Sequence, residues 1–456
     1  MQYTSSWSCL TFATLLLGCS ATDMGSRFGA DAASDATTQA RTDAGQFTTG
    51  DGAPHCVGLE CKQVGCPSGT TTVTGTVWDP AGKNPIYNVV VYVPNADLAE
   101  IPHGPKCDSC GGANVSGSPV VKTLTDAKGQ FVLENVPVGT NIPLVVQAGK
   151  WRKQVTLPEV KACVENPIVD GTQKTLALPK NKSEGSMPLI ALTGGCDPIH
   201  TLIQKIGIDP SEFTTRTGNG MVRVYAGKGG SYNGGVVGAT DAYELYGTKE
   251  ELFKYDILIN ECECSPYPRD AKGDGYGNVA AFLNAGGRVF SSHYHLNFYG
   301  ESGKADVMLQ AAAKWTLWGG SIATGPYLID TTFPKGQAMD DWLWNLKTVS
   351  VWAPGIKTTP KGQIDTFAVG DIGATSPGVS QRWIYPKSGS ATAYVSINMP
   401  TNVPPDQRCG RAVGTDMHVG NGSLTSMSEQ EAALEFMFFD LAACVTDDAK
   451  PPIIPQ

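Results

Sequence analysis

Two neighbouring segments decide the fold of the larger part of this chain: YDILINEC at residues 255–262 and FLNAGGRVFSSHYH at residues 282–295. The first is a short apolar run that ends in polar residues, which is typical of a strand buried in a parallel sheet. In the second, a helical pattern stops at Gly286 and Gly287, a C-cap signal, and an apolar strand follows. A strand, a helix and a strand in this order predict a βαβ unit of an α/β domain.

The same alternation continues on both sides of this unit, from residue 184 to residue 446. The predicted elements are strand Pro188–Leu192, helix Ile199–Ile206, strand Val222–Tyr225, a helix near Lys249–Phe253, strand Tyr255–Asn260, helix Val279–Asn284, strand Arg288–Ser292, strand Ala391–Ile397, strand Gly410–Asp416 and an amphipathic helix Ser428–Leu441. This order is typical of a flavodoxin-like, doubly wound parallel sheet. Residues 300–390 fit least well and are predicted to be an insertion, and residues 447–456 a tail.

A different pattern occupies residues 56–183. Short β-branched and aromatic runs separated by Gly and Pro turns predict strands at 72–77, 88–93, 130–133, 142–147 and 151–157. Several short strands spaced by turns are typical of a β-sandwich. The chain is therefore predicted to be multi-domain, with an all-β sandwich followed by the α/β domain.

Two families resemble these parts. GTVWDPAGKNPIYNVVVYV and LTDAKGQFVLENVPVG, at 75–93 and 124–139, resemble the carboxypeptidase regulatory-like domain, which implies a non-catalytic, transthyretin-like sandwich. The two opening segments, with GRAVGTDMHV at 410–419, resemble the class I glutamine amidotransferase-like superfamily and the ThuA-like trehalose-utilisation proteins. The order of all these parts is similar to that of a group of Gram-negative lipoproteins.

The amidotransferase resemblance does not extend to the glutaminase reaction. That reaction needs a Cys nucleophile on a strand-to-helix turn and a late His-x-Glu. Here the corresponding turn reads SSHYH at residues 291–295, without a Cys, and Gly420 stands two residues after His418. A Ser292–His418 nucleophilic pair is conceivable, although the Gly-x-Ser-x-Gly frame is absent.

The N-terminus predicts export. Its apolar run, LTFATLLLGC at residues 10–19, is shorter than the roughly 20 residues that span a bilayer and fits a signal peptide over 1–18. LLGCS resembles the bacterial lipobox, which implies cleavage before Cys19, lipid on that cysteine and an outer-membrane location, although residues 1–9 lack the usual Lys or Arg. Residues 19–55 contain few large apolar side chains and are predicted to be a disordered tether.

The cysteine content agrees with export. Without Cys9 and Cys19, eleven cysteines remain as candidates for disulfides: Cys56, Cys61, Cys66, Cys107, Cys110, Cys163, Cys196, Cys262, Cys264, Cys409 and Cys444. Exported chains rich in cysteine usually form disulfides, and an odd number leaves at least one thiol for another use. We expect Cys56, Cys61 and Cys66 to form a clasp, and a structural disulfide at the Cys107–Cys110 motif. Cys262 and Cys264 are expected to pair, for instance with Cys196 or Cys409.

Scarce histidines follow the ends of predicted strands, where open α/β sheets bind ligands. The candidate pocket residues are His200, Glu261, Glu263, Ser292, His293, His295, Asp416 and His418. Of these, His293, His295 and His418 are the candidate ligands for zinc or another divalent metal. The alternative is a set of polar residues left from an ancestral active site, with no cofactor.

Two functions remain open. The first is a lipid-anchored, non-catalytic surface protein that binds a glycan, a cell-wall component or a protein. The second is an exported hydrolase that uses the His/Asp/Glu cluster, with or without metal. The net charge of −9 disfavours nucleic acid as a partner. Tryptophans of the insertion could stack on sugar rings or fill its core: Trp315, Trp318, Trp342, Trp344 and Trp352.

Overall fold

The computed structural model describes residues 56–107, 110, 115–171, 174–228, 233–263, 274–317, 319–320, 323–349, 359–418 and 424–455. Within it, Cys56–Gln456 form one compact unit. The predicted signal peptide, Cys19 and the tether lie outside the described residues, as does Cys264. None of the helices in the described ranges has the length and apolar character that a membrane span requires.

Residues 72–167 form a β-sandwich, as predicted. Its strands are β1 (Thr72–Thr76), β2 (Val90–Pro94), β3 (Pro119–Leu124), β4 (Gln130–Leu133), β5 (Gly139–Ala148), β6 (Trp151–Val160) and β7 (Glu165–Pro167). They form one sheet in the order β4-β1-β7 and another in the order β3-β2-β5-β6. Side chains alternate between the faces of a strand, so Val91 and Val93 of β2 enter the core while Val90 and Tyr92 lie on the outer face.

Residues 190–415 contribute a single large mixed sheet and a small β14-β17 sheet. The strands are β8 (Ile190–Thr193), β9 (Phe213–Thr215), β10 (Val222–Ala226), β11 (Thr240–Asp241), β12 (Ile257–Asn260), β13 (Arg288–Ser292), β14 (Ala313–Trp315), β15 (Ala323–Ile329), β16 (Gln363–Ala368), β17 (Ile372–Thr375), β18 (Ser380–Pro386), β19 (Tyr394–Met399) and β20 (Gly410–Thr415).

The centre of the large sheet is parallel and runs β10-β8-β12-β13-β20. Numbered along the chain, these five strands stand in the order 2-1-3-4-5. The antiparallel strands β19, β18, β15 and β16 extend the sheet on the β20 side. Three of these four come from the predicted insertion, which is therefore part of the main sheet.

Helices cover both faces of this sheet. They are α1 (Ile199–Lys205), α2 (Ala242–Tyr246), α3 (Lys249–Leu252), α4 (Gly275–Asn284), α5 (Asn297–Gly300), α6 (Val307–Gln310), α7 (Pro334–Val349) and α8 (Glu429–Ala442). Short 3-10 helices occupy Gly58–Lys62, Pro210–Glu212, His293–Leu296 and Pro405–Gln407. Ala191 of β8 packs with α2 and α4, whereas Ile190 and Leu192 face α1, α8 and the sandwich core.

Helix α8 is buried on every side, so its predicted amphipathic character is wrong. A capping box of Ser428 and Glu431 begins the helix. The sandwich covers the face that would otherwise meet solvent: Trp151 packs on Phe438, with ring centroids 5.3 Å apart, and Tyr87 stacks on Phe436 at 5.5 Å. The sandwich and the α/β part therefore share one hydrophobic core.

Four disulfides hold the described residues together: Cys56–Cys61, Cys66–Cys163, Cys107–Cys409 and Cys110–Cys444. Cys196 is also disulfide-bonded. Cys107 and Cys110 do not pair with each other. Each instead connects the segment between β2 and β3 to the α/β part, and the Cys110 amide also donates to the Val445 carbonyl at 3.1 Å.

Two buried carboxyls meet between the sandwich and α8. Asp79 and Glu435 are fully buried near each other, and Asn84 donates to Glu435 at 2.6 Å. Among the described residues, Asp79 Oδ2 and Glu435 Oε1 have no hydrogen-bond partner. Burial raises the pKa of Asp79 to about 7 and that of Glu435 well above its usual range. The folded chain therefore holds a proton on each of these carboxyls that the unfolded chain releases near pH 4.

These protons make stability fall as pH rises. Between about pH 4 and pH 7 the folded state binds up to two more protons than the unfolded state, one on each carboxyl, which lowers the free energy of unfolding by up to about 2.7 kcal/mol per pH unit. Asp79→Asn removes one of these two protonation sites and should make this dependence about half as steep. The midpoints of guanidinium-induced unfolding, measured between pH 4 and pH 7, test this expectation. The control is Asp97→Asn, a change at an exposed carboxyl. Midpoints that change with pH equally in wild type and Asp79→Asn would contradict the role of this pair.

Candidate functional site

Three side chains converge beyond the carboxyl ends of the parallel strands. Cys262 follows β12, His293 follows β13 and His418 follows β20. One ligand atom from each lies within 4.8 Å of the other two, and Cys262 Sγ is 3.4 Å from His293 Nδ1. Sulfur and imidazole nitrogen at this separation form a set of donors suited to a zinc-class metal ion.

Cys262 keeps its thiol and is fully buried, so its predicted disulfide is wrong. It accounts for the thiol that the odd cysteine number requires. The loop after β8 packs on its backbone, and the Cys196 amide donates to the Cys262 carbonyl at 2.8 Å. The Cys262 side chain faces the two imidazoles, whereas the neighbouring Glu261 and Glu263 contact other residues.

His293 occupies a sharp turn directly after β13. Its φ is +29°, a conformation that costs energy for a residue with a Cβ and that is found at functional sites. This turn directs Nδ1 to the thiol and Nε2 to Asp371, whose Oδ2 lies 3.4 Å away. Asp371 immediately precedes β17, so the insertion supplies a residue that positions this imidazole.

His418 approaches the thiol from the end of β20. Its Nδ1 lies 2.8 Å from Asp197 Oδ1, which leaves Nε2 for the cluster. Phe367 stacks on the ring with centroids 5.6 Å apart, and the rings of His293 and His418 are 4.9 Å apart. Each imidazole thus has a carboxylate behind it, the arrangement that orients metal-binding histidines.

Without a metal, these groups form a buried network of charges. Burial opposes protonation of both imidazoles, but hydrogen bonds to carboxylate and thiol outweigh it and raise the pKa of His293 to about 9 and that of His418 to about 10. Burial also opposes ionisation of Cys262, but hydrogen bonds from the two imidazoles lower its pKa below the usual range. The site therefore favours a thiolate, the form of cysteine that binds metals.

Glu261 and His200, two predicted pocket residues, build the wall of the site. Glu261 accepts hydrogen bonds from the amides of Gly195 and His200 at 2.7 and 2.6 Å, and His200 Nδ1 lies 3.0 Å from it. Burial raises the pKa of Glu261, and the contact with this carboxylate raises that of His200 against burial. These bonds fix the loop that carries Asp197.

His295 and Glu263 lie outside the cluster. His295 Nδ1 is within hydrogen-bond distance of the Glu261 carbonyl, and its Nε2 is 3.6 Å from Glu263. Its ring packs parallel to Phe298, with centroids 6.0 Å apart. The candidate ligand His295 therefore lies outside the cluster of Cys262, His293 and His418, although it belongs to the same 3-10 helix as His293.

Asp416 and Ser292 are buried beneath the cluster. Asp416 Oδ2 accepts a hydrogen bond from the Ile372 amide at 2.9 Å, and burial raises the pKa of Asp416 to about 7. Among the described residues, neither Asp416 Oδ1 nor Ser292 Oγ has a hydrogen-bond partner. The described contacts therefore contain no Ser292–His418 hydrogen bond.

Sequence reasoning missed three participants: Cys262 as a thiol, Asp197 and Asp371. Asp197 follows the first strand of the sheet and could have been found on that ground. Asp371 could not, because it comes from the insertion. Of the five candidate tryptophans, Trp342 is buried in the core, Trp315 is half-buried and Trp344 is exposed. Trp318 and Trp352 lie outside the described residues.

No protein-family model matches this chain, and no curated protein matches it significantly. Among solved structures, it is similar to a chain of a type II cohesin–X-dockerin complex from Acetivibrio cellulolyticus. Identity is 11%, coverage is 33% of this chain and 88% of that one, and the TM-score is 0.17. A likeness of this quality bears on neither fold nor function.

Proposed function

We propose that this chain is an exported hydrolase that uses a zinc-class metal ion held by Cys262, His293 and His418. The observation that carries the proposal is the convergence of two carboxylate-backed imidazoles on one thiol. Three protein ligands are the number that catalytic zinc sites use, the remaining position being taken by water. When bound, the metal would lower the pKa of that water to about 7 and supply hydroxide for hydrolysis.

A cysteine nucleophile fits the same residues less well. A thiol needs one imidazole to activate it, and here two converge on it. The nearby loop amides of Gly195 and Cys196 already donate to Glu261 and to the Cys262 carbonyl. They are therefore not available to stabilise an oxyanion, a task that a bound metal would perform instead.

Each residue of the cluster then has a defined task. Cys262 supplies a thiolate ligand, and His293 and His418 supply imidazole nitrogens. Asp197 lies at hydrogen-bond distance from the other nitrogen of His418, and Asp371 Oδ2 lies 3.4 Å from the other nitrogen of His293. Carboxylates in these positions orient the rings and raise their basicity. The strand order 2-1-3-4-5 supports a flavodoxin-like sheet, whose ligands bind at this edge.

Ester hydrolysis tests the catalytic part of the proposal. We expect the zinc-loaded chain to hydrolyse 4-nitrophenyl acetate above background, the chelated chain to lose this activity and added zinc to restore it. His418→Ala should remain inactive with zinc, and His103→Ala, a histidine outside the cluster, should retain activity. Zinc binding without turnover would favour the second candidate, a non-catalytic protein that binds a glycan or protein ligand.

The lipobox resemblance of residues 15–20 and the disulfides support export and anchoring of this enzyme. The sandwich, with its regulatory-like motifs, would be a transthyretin-like module that carries the α/β part. The outer membrane is the location that Ser20 and Ala21 favour, and Cys19 is the point of attachment.

Cys19→Ser tests the anchor. Removing the acylated sulfur should shift the chain from the membrane fraction to the soluble fraction, because several acyl chains are what gives stable anchoring. Fractionation followed by immunoblotting measures the distribution, and Cys9→Ser, within the predicted signal peptide, serves as control. A Cys19→Ser chain that stays with the membrane would refute lipid anchoring.

A further inference from the structure

A cavity lies between the sandwich and the α/β part, at the end of the parallel strands opposite to the cluster of Cys262, His293 and His418. Its volume is 370 Å³, within the range of small-molecule sites. The α/β wall includes Pro188, Ile257 and Arg288, which stand at the amino ends of β8, β12 and β13. The metal cluster lies beyond the carboxyl ends of these strands, so the cavity belongs to a different site.

The sandwich wall is a row of side chains across one sheet. Leu124 pairs with Val90, Val90 with Gln147, and Gln147 with Arg152. Residues paired in this way project from the same face, and all four line the cavity. The row is apolar at the β3 end and cationic at the β6 end, so the wall is itself amphipathic.

Arg152 is a buried cation that has no counter-ion among the described residues. It is 8% exposed, and its guanidinium donates to Ser116 Oγ at 2.9 Å and to the Ala99 carbonyl at 2.8 Å. No carboxylate among the described residues forms an ion pair with it. Burying a charge beside neutral partners alone is costly, and a bound anion would relieve that cost.

The other charges of the cavity do not fill this role. Lys150 donates to Asp256 at 2.5 Å and to the carbonyls of Pro102 and Gly104, so that carboxylate is already engaged. Arg288 donates to carbonyl oxygens of Gly286, Cys409 and Ala443. Glu100 and Lys106 also line the cavity, so its lining holds four cationic side chains and two carboxylates. The cavity therefore carries an excess of positive charge, although the chain as a whole carries a net charge of −9.

We propose that this cavity binds a monovalent organic anion with an apolar body, a carboxylate amphiphile. The carboxylate accepts hydrogen bonds from the Arg152 guanidinium, and the apolar body lies along Leu124, Val90, Val115 and Ile101. The proposal is independent of the metal site, since none of these residues contacts Cys262, His293 or His418 in the described structure.

Decanoate is the probe, and the full chain carrying Cys19→Ser is the protein, so that neither attached lipid nor detergent competes. Calorimetric titration should show saturable binding of decanoate, and much weaker binding of decanol and decylamine. Arg152→Gln should weaken decanoate binding by roughly 10- to 100-fold, the loss expected for a hydrogen bond to a charged group. Arg216→Gln, outside the cavity, should leave it unchanged.

Leu124→Trp fills the cavity without removing charge and should abolish decanoate binding. This second variant tests the proposal even if Arg152→Gln does not fold. His418→Ala should bind decanoate as wild type does, so failure of the metal site would not be mistaken for failure here. Absence of saturable decanoate binding to the folded parent chain would overturn the proposal. The proposal would also be overturned if decanol bound as tightly as decanoate, or if neither Arg152→Gln nor Leu124→Trp weakened decanoate binding.

Discussion

Replacing His418 with alanine is expected to reduce the affinity of the chain for Zn²⁺ more than any change to a carboxylate behind it. His418 contributes one of three donors whose ligand atoms lie within 4.8 Å of one another. Its loss leaves two protein ligands, too few for a stable site. The loss should exceed the roughly 10- to 100-fold decrease that removal of an outer-shell partner costs. Competition with a chromophoric zinc chelator measures it.

Two matched variants distinguish ligands from neighbours. Asp197→Asn keeps the shape of the side chain that contacts His418 Nδ1 but removes its charge, and it should cost about 10- to 100-fold in zinc affinity. His295→Ala removes a fully buried histidine that lies two residues from His293 but outside the cluster. If His295→Ala lowered zinc affinity as much as His418→Ala, the assignment of ligands would be wrong.

Removing the disulfide Cys110–Cys444 should cost about 4 kcal/mol of unfolding free energy. With Cys107–Cys409 intact, it closes a further loop of about 40 residues, and constraint of such a loop in the unfolded chain accounts for this amount. It also attaches the sandwich loop to the end of α8. We expect a large decrease in the guanidinium midpoint of the Cys110→Ala/Cys444→Ala chain under non-reducing conditions.

The control is the pair Cys56→Ala/Cys61→Ala. This disulfide closes a loop with a sequence separation of 5 at the exposed start of the unit. Its loss should cost about 2 kcal/mol by the same loop-entropy relation. Equal destabilisation by the two double variants would show that cross-linking between the sandwich and the α/β part is not what stabilises the fold.

The regular parts of this fold follow from local sequence patterns. The strand Arg288–Ser292 has the predicted bounds, and β8, β12 and β20 lie within a few residues of theirs. Their apolar runs and glycine stops are local signals, so a single sequence suffices. Strand β3 was missed because all six of its residues are half-buried in the structure. Its sequence therefore lacks the alternation of apolar and polar residues that indicates a strand with one buried face.

Contacts between residues far apart in the sequence could not be predicted from local patterns. The partners of Cys107 and Cys110 lie 302 and 334 residues away, and spacing carries no information about such pairs. The burial of α8 depends on the sandwich that covers it. The site was half predicted: strand ends indicated His293 and His418, whereas Asp371 reaches the cluster through the insertion and Cys262 was assigned to a disulfide.

X-ray absorption at the zinc edge of the zinc-loaded chain tests the central claim most directly. We expect one zinc ion per chain, with one sulfur at about 2.3 Å and two imidazole nitrogens at about 2.0 Å. In Cys262→Ser, the sulfur contribution should disappear. A spectrum with nitrogen and oxygen ligands alone, or one that Cys262→Ser leaves unchanged, would contradict the assignment of Cys262, His293 and His418 as a metal centre.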